Sequence, residues 1–333
     1  MTAPRPDDSL ISEVVARACH APSLHNSQPW RWVFDGAVLH LYADFGRYLH
    51  AADKEGRELL ISCGAVLDHL RVALAGLGWG AIVEHFPEAD EPNHLASVRL
   101  HHRGHAVDAD RHRADAILHR WTDRLPFAAP RDWQALAAKL ARTVAPYGVL
   151  LDVIADTDRA QLEGISRDTE SVRRLDLDYQ DELHWWTSPF GSGDRIPQNT
   201  LVSTAEAARV ALARGFPPGE QTQHGEVVDR DQAQVVVLST GSDDGLDVVH
   251  CGEALSAVLL DATEAGMATC TVGHVTEFAP SRAALRSLLG RPCDPQLLIR
   301  IGDSRADHEH LTPVPRRPLD EVLEFRHAHG HGR

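Results

Sequence analysis

Apolar positions recur along the chain with two periods, and the period assigns most of the elements. Leu10, Ile11, Val14, Val15 and Ala18 follow the spacing of one helical face, with Asp8 or Ser9 placed to cap the helix and its end near His20. The alternating runs 31–34 and 37–41 flank Asp35-Gly36, a pair that accommodates the positive φ of a two-residue turn and so predicts a β-hairpin. From 58 to 77, Leu59, Leu60, Cys63, Leu67, Leu70, Val72, Leu74 and Leu77 cover most of a helix circumference, the pattern of a helix buried on several sides and central to the fold. Further on, strands are predicted at 149–155, 233–240 and 296–302 and a helix at 252–265, while a helix end over 111–124 runs into a turn closed by Pro126. These elements put the chain in the α+β or α/β class.

Two windows share one spacing. Cys63-Gly64 to Gly78 and Cys251-Gly252 to Gly266 match at those positions and also align Leu67 with Leu255, which reads as an internal duplication; chance likeness between two buried helices is the alternative. The stretch 179–225 stands outside this order. It carries Trp185, Trp186, Phe190 and Phe216 among Pro189, Pro197, Pro217 and Pro218, with a helical piece at 204–214. So long an excursion within a globular fold is uncommon and is usually a lid, a binding loop or a covering flap.

Composition narrows the function. The 333 residues are 43% hydrophobic and 24% charged, which is ordinary globular usage and excludes disordered, collagen-like and coiled-coil classes. A net charge of −15 repels polyanions, so nucleic acid is not an expected partner and any basic site must be local. The segment MTAPRPDDSL has no apolar leader, and the apolar stretch 72–83 is too short to cross a bilayer; no membrane association and a soluble, cytoplasmic protein are expected. Cys19, Cys63, Cys251, Cys270 and Cys293 are odd in number and lack paired spacing, so reduced thiols are expected rather than a disulfide framework or a zinc cage. The 21 histidines cluster at His101, His102 and His105, at His308 and His310, and at His327, His329 and His331, among charged residues that read as solvated loops; no metal site is predicted.

No Gly-x-Gly-x-x-Gly opens a helix after a strand, since Gly76, Gly78 and Gly80 lie at a helix end, and no P-loop, Gly-x-Ser-x-Gly elbow or His-Glu-x-x-His occurs. Hydrolase and nucleotide-triphosphatase readings therefore lack support. What stands out is Ala21-Pro22-Ser23-Leu24-His25-Asn26-Ser27-Gln28-Pro29-Trp30, dense in short hydrogen-bonding side chains just before a strand. A plain helix-to-strand connection built on Asx turns is its ordinary reading.

That run resembles the Ala-Pro-Ser-x-x-Asn-x-Gln-Pro-Trp signature of FMN-dependent nitroreductases. Arg120-x-Thr122-x-Arg124 is similar to that family's Arg-x-Ser/Thr-x-Arg/Lys element, 252–266 to its long core helix, and Pro315-Arg316-Arg317-Pro318-Leu319 to its C-terminal basic element. The order differs from a simple nitroreductase, because the Pro-Ser-Asn loop comes well before the Arg-x-Thr-x-Arg element. That order, with Asp53-Lys54-Glu55-Gly56-Arg57 leading into Cys63-Gly64-Ala65, resembles the Acg family, in which one chain carries two nitroreductase-like halves.

The resemblance implies an α+β nitroreductase-like fold with halves at 1–110 and 111–333, the second interrupted by the 179–225 insertion. A simple nitroreductase is a homodimer whose flavin sites take the phosphate grip from one subunit and the loop from the other. Here the second half offers only Ala145-Pro146-Tyr147-Gly148 in place of a loop, and the first half has no grip before Ala21, so one composite site survives. One FMN per chain and a monomer shaped like a homodimer follow. Arg120, Arg124 and one or both of Arg316 and Arg317 are expected to hold the phosphate, with Thr122 donating a hydroxyl; for Arg316 and Arg317 a solvated basic turn is the alternative. Pro22, Ser23, Leu24 and Asn26 are expected along the ribityl chain and ring edge, with Gln28 nearby, and the backbone of Val272 and Gly273 against the ring.

The leading expectation is an oxidoreductase carrying hydride from NAD(P)H through FMN to a small aromatic nitro or quinone-like acceptor, with no catalytic side chain required. His25 or His274 is the candidate proton donor if one is needed. A flavin-sequestering protein closed by the 179–225 segment is the rival expectation, and a stress-response interaction protein with a vestigial site is the third.

Overall fold

The computed structural model of the chain describes residues 5–188, 195–219, 228–304 and 314–327. Its first part runs α1 (Asp8–Ala18), β1 (Trp30–Phe34), β2 (Val38–Ala43), α2 (Arg57–Gly76), β3 (Trp79–His85), β4 (His94–His102) and α3 (Asp108–His119). There follow α4 (Trp133–Val144), β5 (Leu150–Val153), α5 (Asp156–Arg173), α6 (Leu177–Thr187) and the single turn α7 (Thr204–Ala207). The chain closes with β6 (Gln234–Thr240), α8 (Gly245–Glu264), β7 (Ala268–Val272), α9 (Ala279–Leu289), β8 (Asp294–Gly302), α10 (Leu319–Val322) and β9 (Leu323–Phe325).

Two sheets result, with helices around them, and the fold is α+β as expected. One has the order β3-β4-β2-β1-β9, antiparallel except for the parallel pair β1 and β9; the other has the order β5-β6-β8-β7, antiparallel throughout. Strand alternation decides which side chains enter which core. On β6, Val236 and Leu238 face α8 and α4, whereas Val235 and Val237 face a second apolar cluster with Ile154, Leu162 and Leu285. The second sheet is therefore covered on both sides. The first sheet buries Trp30, Trp32, Phe34, Leu39 and Leu41 with α1 and α2.

Helices α2 and α8 are the centre. Both are buried nearly all round, as the circumferential apolar pattern predicts, and α2 is long and apolar enough by composition to cross a membrane although 78% of its most apolar window is buried inside the protein. They meet at Gly64 and Gly252. A Cβ on Gly64 would sit 2.0 Å from the Val249 carbonyl oxygen, and one on Gly252 would sit 2.1 Å from that of Ile61, so only glycine allows this backbone approach. Asp68 and Ser256 hold the same place in the two matched windows, and the Ser256 hydroxyl donates to Asp68 at 2.5 Å.

Several boundaries move from the sequence expectation. The hairpin turn is Gly36-Ala37, one residue later than Asp35-Gly36, because the Asp35 carboxylate accepts the Ala37 and Val38 amides at 2.8 and 2.7 Å and Asp35 pairs back to Val38. Helix α8 begins at Gly245 rather than 252, its first turn fixed where the Asp247 carboxylate accepts from the Ser242 amide and hydroxyl. The helical piece at 204–214 shrinks to α7. Beyond it, Val210 and Leu212 turn into the core and Arg214 leaves to pair with Glu277, so tertiary contacts override a good local propensity. Strand β9, close to the C-terminus, lies on the first sheet beside β1, with Trp32 opposite Leu323.

Candidate functional site

A cavity of about 900 Å³ opens where the loop before β1, the N-terminal half of α2, the segment after α3, the end of β7 and residues 196–218 meet. Each wall has a local cause. Residues 120–124 run extended, and Thr122 bridges to Thr269 beside β7. Arg120, Trp121, Thr122 and Arg124 line the cavity, while Asp123 and Leu125 are buried behind.

The loop 23–28 is strained. His25, Asn26 and Gln28 have φ of 51°, 61° and 48°, left-handed values that non-glycine residues rarely adopt. The loop is held by Ser23, whose hydroxyl accepts the Gln28 amide at 3.0 Å, and by Ser62 of α2, which accepts the Leu24 amide at 3.2 Å. Asn26 donates to the Pro315 carbonyl at 3.0 Å and accepts from Arg316 at 3.3 Å. Its amide thus ties the C-terminal segment to the loop.

Of the residues named from sequence, Pro22, Ser23, Leu24, Asn26, Arg120, Thr122, Arg124, Val272, Gly273 and Arg316 line the cavity. Gln28 and Arg317 do not. Gln28 is fully buried and accepts the Arg317 amide at 3.0 Å, while the Arg317 guanidinium bonds Asp44 at 3.1 Å and the Gln28 carbonyl at 3.2 Å. The two form a brace behind the loop, because a carboxylate within reach draws Arg317 away from the cavity.

The cations fall at two places rather than one. Arg120 and Arg316 both donate to the His20 carbonyl, at 3.3 and 3.1 Å, and neither has a carboxylate within 4 Å among the described residues. The Nε of each is buried without a hydrogen-bond partner among the described residues. Burial, and for Arg120 also the Arg316 charge, lowers their pKa values to about 9 and about 10. Arg124 belongs elsewhere: it stacks over Phe216 at 5.0 Å and donates to the Thr200 carbonyl at 3.3 Å. His25 meets the same Phe216 ring edge-on at 5.8 Å, and both its ring nitrogens are buried and unpartnered among the described residues.

The segment expected as a lid lines the cavity with residues from Ile196 to Pro218, but not with its tryptophans. Trp186 packs instead with Leu49, Ala51, Tyr179 and Leu183, and Trp185 is half exposed, since α6 turns its apolar face onto that separate cluster. Pro189 and Phe190 lie outside the described residues, as do His308, His310, His329 and His331. Sequence reasoning also missed Glu58, Arg214 and Arg300 in the lining. Arg300 makes a buried ion pair with Asp231 at 2.8 Å, and Arg214 one with Glu277. Away from the cavity, His85, His250 and Glu253 bring ligand-type atoms within 4.8 Å, with Arg71 on the Glu253 carboxylate at 2.8 Å.

No family model matches the chain. It is 47% identical over 317 residues to the protein acg of Mycobacterium tuberculosis strain H37Rv, which its name assigns provisionally to the NAD(P)H nitroreductases; the match covers 95% of this chain and 96% of that one. The chain belongs to the Acg family of nitroreductase-like proteins. A second relative from the same organism, Rv3131, with a similarly provisional nitroreductase name, is 34% identical over 325 residues, covering 96% of this Acg-family chain and 92% of its own. Among solved structures, the FMN- and NADPH-dependent nitroreductase NfnB from a Sphingopyxis strain aligns with a TM-score of 0.39 at 19% identity, over 64% of this chain and 97% of that one.

Proposed function

We propose that the cavity holds FMN and that the chain is an FMN-dependent NAD(P)H oxidoreductase acting on a small nitroaromatic or quinone acceptor. The observation that supports this most is the pair Arg120 and Arg316, a buried and a half-buried guanidinium that share the His20 carbonyl on the wall of a largely apolar cavity, without a carboxylate within 4 Å among the described residues. Isolated buried charges are costly, so such a pair fits a dianionic phosphate that would neutralise it. Arg120, Arg316 and the Thr122 hydroxyl would hold the phosphate, and Pro22, Ser23 and Leu24 would flank the ribityl chain. Val272 and Gly273 would meet the ring edge through their backbone, while Arg124 is stacked over Phe216 elsewhere on the lining. The bound cofactor supplies hydride transfer between nicotinamide and acceptor.

The remaining work belongs to the chain's own groups. Asn26, Gln28 and Arg317 keep the strained loop and Arg316 in register. Residues 196–218 keep water from one wall, and their position also favours a second reading, in which the site retains flavin and denies nicotinamide access. We further propose that residues 1–110 and 111–333 are two nitroreductase-like halves, joined at the α2–α8 contact into one monomeric unit.

The test is the visible absorption spectrum of the purified protein, then anaerobic addition of NADPH and aerobic turnover with menadione. A yellow protein whose colour bleaches within a turnover supports the enzyme reading. Tight flavin with no bleaching supports retention, and a colourless protein that does not quench FMN fluorescence overturns both.

A further inference from the structure

The cavity holds one acid that the oxidoreductase reading does not use. Glu58 stands in the first turn of α2, positioned by Asp53, whose carboxylate accepts the amides of Glu58 and Leu59 at 3.0 and 2.8 Å. Its Oε1 accepts from Arg57 at 3.1 Å, but Arg57 is shared with the carbonyl and side chain of Gln296 at 2.6 and 3.1 Å. The other oxygen, Oε2, accepts nothing from the described residues. Behind the lining, just beyond β7, the fully buried side chain of Glu277 is paired with Arg214, which also donates to the Tyr179 hydroxyl. Both carboxylates crowd Gly273: a Cβ there would lie 2.9 Å from Glu277 Oε1 and 3.2 Å from Glu58 Oε1.

Two carboxylates so placed do not both ionise readily, and the one with the weaker cation keeps the proton. Arg214 is the stronger partner and belongs to Glu277. Burial, with Glu277 and Asp53 adding to it against Arg57 and Arg214, raises the Glu58 pKa to about 7. His25 and His274, the histidines named as donors from sequence, are buried and held neutral well below the usual histidine range, which leaves them poor proton sources at neutral pH.

We propose that Glu58 is the proton donor to the acceptor in this cavity, working beside the Gly273 backbone. The inference rests on the oxidoreductase reading. In quinone reduction, NAD(P)H is oxidised and the quinone reduced by one hydride equivalent and one proton. The Glu58 O–H bond breaks, a new O–H bond forms on the quinone oxygen, and the electron pair stays on Glu58 as carboxylate. Water restores the proton when product leaves.

The experiment has two arms. In the first, infrared pH titration of the protein without added flavin follows the protonated carboxyl band. A band that titrates near neutrality, is lost in Glu58→Gln and shifts in Glu58→Asp supports the proposal; titration only in the ordinary carboxylate range overturns it, whether or not Glu58→Gln folds. In the second, menadione reduction is measured after FMN binding has been confirmed by fluorescence. Glu58→Gln should bind FMN as wild type does, lower kcat by about 100-fold and flatten the descending limb of its pH profile near neutrality, with Glu58→Asp restoring that limb. FMN binding with an unchanged pH profile in Glu58→Gln sinks the assignment of Glu58 alone, whereas absence of FMN binding in wild type sinks the oxidoreductase reading.

Discussion

Gly64 and Gly252 face each other at the crossing of α2 and α8, so closely that a Cβ built on either would lie 2.9 Å from the other's Cα. The two residues occupy the same place in the two matched sequence windows. Like the Asp68–Ser256 hydrogen bond one turn on, the contact joins the proposed halves through matched positions, and it leaves no room for a side chain.

Gly64→Ala and Gly252→Ala each force backbone apart in a close-packed centre. Each should lower the folding stability by about 1–3 kcal/mol, the usual cost of over-packing, seen as an earlier midpoint in urea denaturation. An unchanged midpoint in both variants would show that the helices are not in this contact.

The two cationic places predict different losses. Removing Arg120 or Arg316 should each cost about 1.5–3 kcal/mol of FMN affinity and should shrink the preference for FMN over riboflavin by the same amount. Arg124→Ala should weaken both ligands alike and keep the preference. Fluorescence titration with the two flavins measures this, and equal discrimination in Arg120→Ala and wild type would remove the phosphate assignment. Because Arg120 is buried without a counter-charge, Arg120→Met should also raise the unfolding midpoint of the ligand-free protein.

Acid should destabilise the fold through three histidines. His25, His69 and His274 are buried, and burial holds each neutral well below the usual range. Below a pH of about 6.5 the unfolded chain binds protons there that the folded chain does not, so stability falls as pH falls, by up to about 1.4 kcal/mol per histidine per pH unit. Urea midpoints measured from pH 7 to pH 5 should decline, and less so in His69→Gln. A flat profile would mean these rings are not buried neutral.

If both halves lie in one chain, the protein should sediment as a single-chain species even when concentrated and should bind one FMN per chain. Analytical ultracentrifugation with flavin absorbance detection reads both quantities. A dimer with two flavins per pair, each site built from both chains, would contradict the composite site.

Much of this was legible because it is local. The apolar circumference of α2 needs no knowledge of its neighbours, whereas 120–124, read from the chain as part of a helix end, lies beyond the end of α3 at His119 because Thr122 bridges to Thr269. What stayed hidden depended on distant partners. Glu58 reads as an ordinary acidic residue in a helix first turn; burial, with Glu277 and Asp53 brought close by the fold, makes it unusual. Arg214 sits in a stretch of good helix formers until the fold pulls it onto Glu277. Arg300 was the one missed signal within reach: a charge inside the apolar strand run 297–301 asks for a buried partner, and Asp231 supplies it.

Strand β9 and the basic segment before it complete structures begun far earlier in the chain: β9 lies against β1, and Arg316 bonds the loop through Asn26. Strands β1 to β8 all precede residue 316, whereas Arg316 itself completes the pair with Arg120 at the His20 carbonyl. If Arg120 and Arg316 hold the proposed phosphate, removing the segment that carries Arg316 should weaken the site while leaving most of the folded body standing.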